Sequence, residues 1–210
     1  MELRDGKWAG RRAFVIGGGP SLKRFDFSAL AGELCLGVNM AFLQGPCANL
    51  VLDLTLMQSL SADPRWRNYR GVKVWLNAEL PAERGVFPGV LELQACYGLD
   101  QLPRWSRSLK EGLWYGTNAG ASALNLADIL GANPIYLLGF DMTGQAGKTV
   151  NWHDEYKEKQ DEMVYKNFAI DFVRNLANIR SKVVNLNPAS NLKCFDFGRI
   201  EDVIPCTIAS

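Results

Sequence analysis

The chain has 210 residues, with 23 Lys and Arg against 22 Asp and Glu, and 48% of its residues are hydrophobic. This balanced charge, without a long basic run, argues against a nucleic-acid partner. No run of about 18 apolar residues occurs, and the charged segment 1–12 has no apolar signal core, so we expect neither a membrane span nor a leader. The five cysteines never form a Cys-x-x-Cys pair, which argues against a disulfide framework or zinc site and fits a cytoplasmic protein.

Short apolar runs bounded by glycines or polar residues recur along the chain. Runs of this kind are typical of strands in a parallel sheet that is covered on both faces. The first is Ala-Phe-Val-Ile at 13–16, directly before three glycines. We predict further strands at 34–38, 49–54, 72–76, 90–93, 135–138 and 182–186.

Two segments between these strands carry a helical pattern. The first spans 119–130, with Thr117 and Asn118 before it and Gly131 at the expected C-terminal cap. The second spans 161–179 and has an apolar stripe on one side. We expect the stripe to consist of Val164, Phe168, Phe172, Val173, Leu176 and Ile179, with Lys166, Asp171, Arg174 and Asn178 facing away.

The alternation of strands and helices predicts the fold class. We expect a Rossmann-like, doubly wound α/β fold, with a mostly parallel sheet and helices on both faces. The chain has no internal repeat and no low-complexity linker, so residues 1–210 are expected to form a single domain. Residues 145–156 have little apolar content and follow a predicted strand, which indicates a mobile loop near 142–156.

A glycine-rich turn follows the first predicted strand. Gly17, Gly18 and Gly19, continued by Pro20 and Ser21, permit a close backbone approach and the positive φ angles that aim N–H groups at an anion. The turn is neither a G-x-G-x-x-G motif nor a P-loop. It indicates a nucleotide or phosphate site, and a tight turn without a ligand is the alternative.

A second glycine-bearing turn precedes the helix at 119–130. A helix N-terminus offers unpaired N–H groups and a partial positive charge, and Thr117, Asn118 and Gly120 stand there. These residues are candidates for binding the anionic part of a ligand. Plain N-capping of the helix is the alternative.

Polar residues stand at the ends of three predicted strands. They are Asn39, Asp53 and Asp141, and ligands of open α/β sheets bind at such strand ends. We expect these side chains to face ribose hydroxyls, a base edge, a substrate or a metal ion. Each of them could instead cap a helix or brace a loop.

His153 is the sole histidine of the chain and lies in the polar segment Asn-Trp-His-Asp-Glu-Tyr. The unperturbed pKa of histidine is closest to neutrality among side chains, so His153 is a candidate general base over the site. A structural histidine is the alternative.

Several short motifs occur in a fixed order along the chain. They are Ile-Gly-Gly-Gly-Pro-Ser-Leu at 16–22, Gly-Val-Asn39, Asp53, the helix within 116–131, Ile-Tyr-Leu-Leu-Gly-Phe-Asp141 and Asn-Pro-Ala-Ser at 187–190. This order resembles a superfamily that contains bacterial sialyltransferases, flagellin glycosyltransferases of the motility-accessory type and archaeal-type 6-hydroxymethylpterin diphosphokinases. The chain looks especially similar to small members from phages and prophages that carry a Trp-His pair after a Gly-x-Asp strand.

The sialyltransferase resemblance implies a role for several residues. Gly18, Gly19 and Asn39 match the site of a cytidine nucleotide sugar, and His153 matches the general base. This chain differs in having Gly18 and Asp53 where the sialyltransferases have Asn, and residues 142–152 lack the tyrosines that meet the donor phosphate there. In the diphosphokinase branch, ATP and Mg²⁺ would occupy the same cleft, with Asp53 and Asp141 as metal ligands.

We therefore expect a transferase with a nucleotide-activated donor, of the glycosyltransferase kind and with a CMP-linked sugar favoured. Gly17–Gly19 and Asn39 would hold the nucleotide, Thr117 and Asn118 the anionic part of the donor, and His153, with Asp141, would act on a hydroxyl acceptor. The alternatives are an ATP- and Mg²⁺-dependent diphosphokinase-like enzyme and a non-catalytic nucleotide-binding phage accessory protein. The oligomeric state stays open, a homo-oligomer included.

Overall fold

A computed structural model describes residues 2–78, 87–143, 151–155 and 162–204. In this part of the chain, eight strands form one sheet in the order β5-β4-β3-β2-β1-β6-β7-β8, and every neighbouring pair is parallel. The strands are β1 (Ala13–Ile16), β2 (Leu34–Val38), β3 (Ala48–Val51), β4 (Val72–Asn77), β5 (Val90–Gln94), β6 (Ile135–Leu138), β7 (Val183–Asn185) and β8 (Asp196–Phe197).

The fold is the predicted Rossmann-like α/β fold. The bounds of β1, β2 and β6 are those expected from their apolar runs. The strand expected at 49–54 ends earlier, at Val51, because Asp53 caps the helix that follows. Strand β8 was not predicted, since two exposed residues at the edge of a sheet carry no apolar run.

The helices cover both faces of the sheet. They are α1 (Leu54–Ala62), α2 (Pro64–Asn68), α3 (Ala119–Ile129), α4 (Glu162–Asn175) and α5 (Ile200–Val203). Strand β1 shows the two layers: Ala13 and Val15 pack into the core with α3, whereas Phe14 and Ile16 pack on the opposite face. Successive side chains of a strand point to opposite faces, so a fully apolar strand implies two covered faces.

Helix α4 differs from its predicted orientation. Val173 is 58% exposed and Leu176 is 43% exposed, although both were assigned to the buried stripe. Asp171, which was expected to face solvent, is 3% exposed. The reason is a hydrogen-bonded contact of Asp171 with the turn before α3, which sets the rotation of the helix. The α-helix ends at Asn175, and a 3₁₀ turn follows.

The strand order places the switch point of the sheet beside β1. From β1 the chain winds outward through β2, β3, β4 and β5, and then returns to β6 on the other side of β1. Ligands of such sheets bind outside the carboxyl ends of the strands where the winding direction reverses. The turn after β1 and the turn after β6 therefore frame the expected site.

Two further expectations concern the chain outside this core. Much of the loop expected near 142–156 falls on residues 144–150 and 156, which lie outside the described residues. Over the described ranges, no helix is long and apolar enough to cross a membrane.

Candidate functional site

A cavity of about 490 Å³ lies at the carboxyl edge of the sheet, beside β1 and β6. Its wall combines the turns after β1, β2, β3 and β6, the start of α3, part of α4 and the segment 151–155. The structure thus brings most of the candidate residues to one place. Those on the wall are Gly17, Gly18, Gly19, Pro20, Asn39, Asp53, Thr117, Asn118, Gly120, Asp141 and His153, and Ser21 adjoins them through Asp141.

The glycine turn is shaped by close packing. None of its three glycines has the positive φ that we expected. Instead, a Cβ on Gly17 would lie 2.8 Å from the Gly139 carbonyl oxygen, and one on Gly19 would overlap the Asp141 carboxylate. At Gly18, a Cβ would meet only the Asn151 side-chain oxygen, at 2.9 Å. The turn therefore needs glycine because the turn after β6 lies directly against it.

Asp141 joins these two turns. The Ser21 backbone N–H donates to Asp141 Oδ1 at 3.0 Å, and the Ser21 hydroxyl donates to Oδ2 at 2.8 Å. Burial raises the pKa of Asp141, while the hydrogen bonds from Ser21 oppose this effect. The carboxylate is thus held by the fold at the cavity wall, where it orders the glycine turn.

Asn39 has an unusual backbone and an unsatisfied side chain. Its φ is 53°, a left-handed conformation that Asn tolerates better than most residues. Its Oδ1 atom is buried without a hydrogen-bond partner among the described residues. Its backbone carbonyl accepts a hydrogen bond of 2.9 Å from Asn49 Nδ2, on the buried strand β3. A buried acceptor on a cavity wall is costly unless a ligand or water donates to it.

Asp53 caps α1. Its Oδ1 accepts from the Leu56 backbone N–H at 2.6 Å, and the residue is exposed at the rim of the cavity. Asp53 and Asp141 were the candidate ligands for Mg²⁺ in the diphosphokinase alternative. In the part of the chain that the structure describes, no three His, Cys, Asp or Glu side chains cluster closely enough to hold a metal ion.

The donors of the turn before α3 are engaged by Asp171. The Thr117 backbone N–H and hydroxyl donate to Asp171 Oδ2 at 2.7 and 2.6 Å, and Asn118 Nδ2 donates to it at 3.2 Å. Asn118 Oδ1 accepts from the Ala121 N–H and caps α3. A protein carboxylate thus lies where we expected these two residues to bind the anionic part of a ligand.

His153 lies on the cavity wall and is only 7% exposed. Burial lowers its pKa, although the carboxylates of Glu155 and Asp154 act in the opposite direction. The Trp152 ring packs against it edge to face, with 4.9 Å between ring centroids. Burial thus favours the neutral imidazole, which is the form that a general base requires.

Several residues of the site were missed at the level of the sequence. Tyr165 and Phe168 reach the cavity from α4, and burial together with the nearby Asp141 raises the pKa of Tyr165. Asn49 had no visible signal, because it stands inside an apolar run. Asn49 acts through its hydrogen bond to Asn39, and periodicity cannot identify a contact partner on a distant element.

The charge of the cavity wall is acidic. Among its described residues, Asp53, Asp141 and Glu155 carry carboxylates, and none is Lys or Arg. An anionic ligand must therefore be held there by neutral hydrogen-bond donors or by groups outside the described residues.

No protein-family model and no curated protein sequence matches the chain. Solved structures do resemble it. The MAf glycosyltransferase from Magnetospirillum magneticum AMB-1 aligns with a TM-score of 0.62 and 14% identity, over 93% of this chain but 34% of that one. The sialyltransferase CstII from Campylobacter jejuni, in complex with the substrate analogue CMP-3FNeuAc, aligns with a TM-score of 0.52 and 18% identity.

A second CstII structure, with a trisaccharide acceptor and CMP, aligns with a TM-score of 0.54 and 17% identity. Both CstII alignments cover 89% of this chain and 85% of that one. At these identities the likeness shows a shared fold. The chain spans about a third of the length of the MAf protein that it matches.

Proposed function

We propose that this chain is a glycosyltransferase-like enzyme that uses a nucleotide-activated sugar, with His153 as the general base. The observation that carries the proposal is the buried position of His153 on the wall of the cavity at the switch point of the sheet. The unsatisfied Oδ1 of Asn39 on the same wall calls for a ligand donor such as a ribose hydroxyl or a base amino group. The shared fold with two glycosyltransferases supports this choice.

The charge of the cavity favours a donor with one phosphate. A nucleoside diphosphate sugar carries two phosphate charges, which in proteins are commonly neutralised by Arg, Lys or a metal ion. The described wall has three carboxylates and neither Lys nor Arg. A CMP-linked sugar has a single phosphate charge, and CMP is the nucleotide in the CstII complexes.

The proposed reaction is a direct displacement at the anomeric carbon. The acceptor hydroxyl loses its proton to His153 as its oxygen bonds to the anomeric carbon, and the bond from that carbon to the phosphate oxygen breaks. The nucleotide leaves as the monophosphate. We propose that Tyr165, whose raised pKa keeps its phenol protonated, donates to the phosphate from α4, and that Asp141 acts by ordering the glycine turn.

Turnover on a panel of donors tests the proposal. CMP-, UDP- and GDP-linked sugars, and ATP with a pterin-like alcohol, are each incubated with the protein in Mg²⁺ and in EDTA. We expect transfer or hydrolysis of a CMP-linked sugar that survives chelation. Turnover of ATP alone, dependent on Mg²⁺, would establish the diphosphotransferase instead, and binding without any turnover would leave a nucleotide-binding accessory protein.

A further inference from the structure

The segment 151–155, called the strap here, is tied to the glycine turn of the cavity wall at one end and to α2 at the other. At one end, the Trp152 backbone N–H donates to the Gly18 carbonyl at 3.0 Å, and its indole N–H donates to the Gly17 carbonyl at 2.9 Å. The indole also packs on Phe27, with 5.3 Å between ring centroids. The Trp152 side chain thereby joins the strap to the glycine turn and to the apolar cluster that contains Phe14 and Ile16.

The other end of the strap is tied to α2. The Arg65 guanidinium binds the Glu155 carboxylate through two hydrogen bonds, of 2.7 and 3.1 Å. The same guanidinium is held by Asp63, which also caps α2 by accepting from the Arg65 backbone N–H. Because Asp63 already orients Arg65, less side-chain entropy is lost when Glu155 binds than in an isolated surface pair.

His153 lies between these two anchors, and its surroundings follow from them. The Trp152 ring covers one side of the imidazole and contributes to its burial. Glu155 and Asp154 are the acidic neighbours on the strap, and Arg65 offsets the charge of Glu155. Among the described residues on the other walls of the cavity, the titratable groups are Asp53, Asp141 and Tyr165.

We propose that Trp152 and Arg65 are positioning residues: the first fixes the strap on the glycine turn, the second fixes it on α2, and together they aim His153 into the cavity. The positioning proposal rests on the proposed function only for the role of His153 as general base. A base displaced by about 1 Å can lose roughly 100-fold in rate, so either anchor should affect catalysis without contacting the substrate.

The single histidine makes the proposal measurable without an activity assay. The imidazole proton signals of His153 are followed by NMR against pH in wild type, Trp152→Phe and Arg65→Gln. Trp152→Phe keeps a ring but loses the indole bond to Gly17, and the loosened strap should raise the pKa of His153 by admitting water. Arg65→Gln frees the Glu155 carboxylate, which should also raise the pKa of His153.

Two control variants make the same chemical changes elsewhere. Trp105→Phe removes an indole bond to Asp128, and Arg67→Gln removes a second exposed cation from α2. Both should leave the histidine titration at its wild-type position. A wild-type titration in a folded Trp152→Phe protein overturns the role of Trp152, and one in Arg65→Gln overturns that of Arg65. Arg65 is exposed, so its variant is expected to fold even if Trp152→Phe does not.

Turnover then separates this proposal from the function. With an active donor, the two anchor variants should lower kcat by up to about 100-fold and change KM little, while both controls keep the wild-type kcat. If the His153 titration shifts in both anchor variants but no donor is turned over, the positioning roles of Trp152 and Arg65 stand and the proposed transferase activity is rejected. If a donor is turned over but the His153 titration is unchanged in both variants, the positioning roles are rejected and the transferase activity stands.

Discussion

At the scale of single residues, two glycines of the turn after β1 differ in the space around their missing Cβ atoms. Gly19 is required because the Asp141 carboxylate fills the space of its missing Cβ, whereas Gly18 has only the end of the Asn151 side chain near it. The sequence shows the two glycines as equivalent members of one turn. Both line the cavity, but a Cβ on Gly19 would overlap the Asp141 carboxylate, whereas one on Gly18 would meet only the Asn151 side chain.

Alanine at these two glycines should therefore have different effects. Gly19→Ala forces apart the turns after β1 and β6 and should cost about 1–3 kcal/mol of stability, as overpacking does. Gly18→Ala should leave the melting temperature almost unchanged but weaken nucleotide binding, because its methyl group would displace the Asn151 side chain on the cavity wall. Thermal melts and calorimetric titration of both variants measure this. Equal loss of stability in the two would contradict the distinction.

The side chain of His153 should control the activity and its dependence on pH. His153→Ala should lower kcat by about 10²–10⁴-fold with little change in donor affinity. Because burial lowers the pKa of His153 in the free enzyme, the acid limb of the wild-type kcat/KM profile should lie below the ordinary value of about 6.5. A folded variant with the wild-type kcat would show that the histidine is structural.

The same shift has a consequence for unfolding. The folded pKa of His153 lies below the unfolded value of about 6.5, so the unfolded chain binds the proton first as the pH falls. The associated stability is present above about pH 6.5 and is lost as the pH falls toward the folded pKa. Urea unfolding of wild type and His153→Gln on both sides of that pH should show the smaller acid loss in the variant.

At the scale of elements, helix α4 shows how a buried polar contact can overrule an apolar pattern. The 3.6-residue periodicity assigned Val173 to the core and Asp171 to solvent, and the structure reverses both. Asp171 satisfies the donors of the turn before α3, and this orientation also brings Tyr165 and Phe168 to the cavity. Hydrogen-bond partners more than 50 residues apart leave no trace in local periodicity.

Removal of the Asp171 carboxylate should destabilise this junction of helices. Asp171→Ala leaves the N–H and hydroxyl of the exposed Thr117 without their acceptor, at about 0.5–1.5 kcal/mol for each lost hydrogen bond. A loss of about 2 kcal/mol would lower the Tm by roughly 4–8 °C in a chain of this size. Arg174→Ala, an exposed change on the same helix, is the control and should stay within about 0.5 kcal/mol of wild type. Equal Tm values for the two variants would contradict the anchoring role.

At the scale of the whole molecule, the sequence was sufficient to predict the sheet and the edge at which the site lies. Apolar runs identified β1, β2 and β6, and strand-end residues such as Asn39 and Asp141 do line one cavity. The sequence could not show how the wall is held together. Asn49, Asp171 and Arg65 act through contacts between elements that come together only in the folded chain.

The central claim is that the cavity at the switch point binds the nucleotide of a sugar donor. The most direct test is the melting temperature with increasing CMP in EDTA, in wild type and in Asn39→Gly, which accepts the φ of 53° but removes the carboxamide. At about 100 times its dissociation constant, CMP should add about 2.7 kcal/mol of stability. The wild-type Tm should then rise by roughly 5–10 °C, and the variant should need far more CMP for the same rise. An unchanged wild-type Tm, or equal rises in both proteins at every CMP concentration, would contradict the claim.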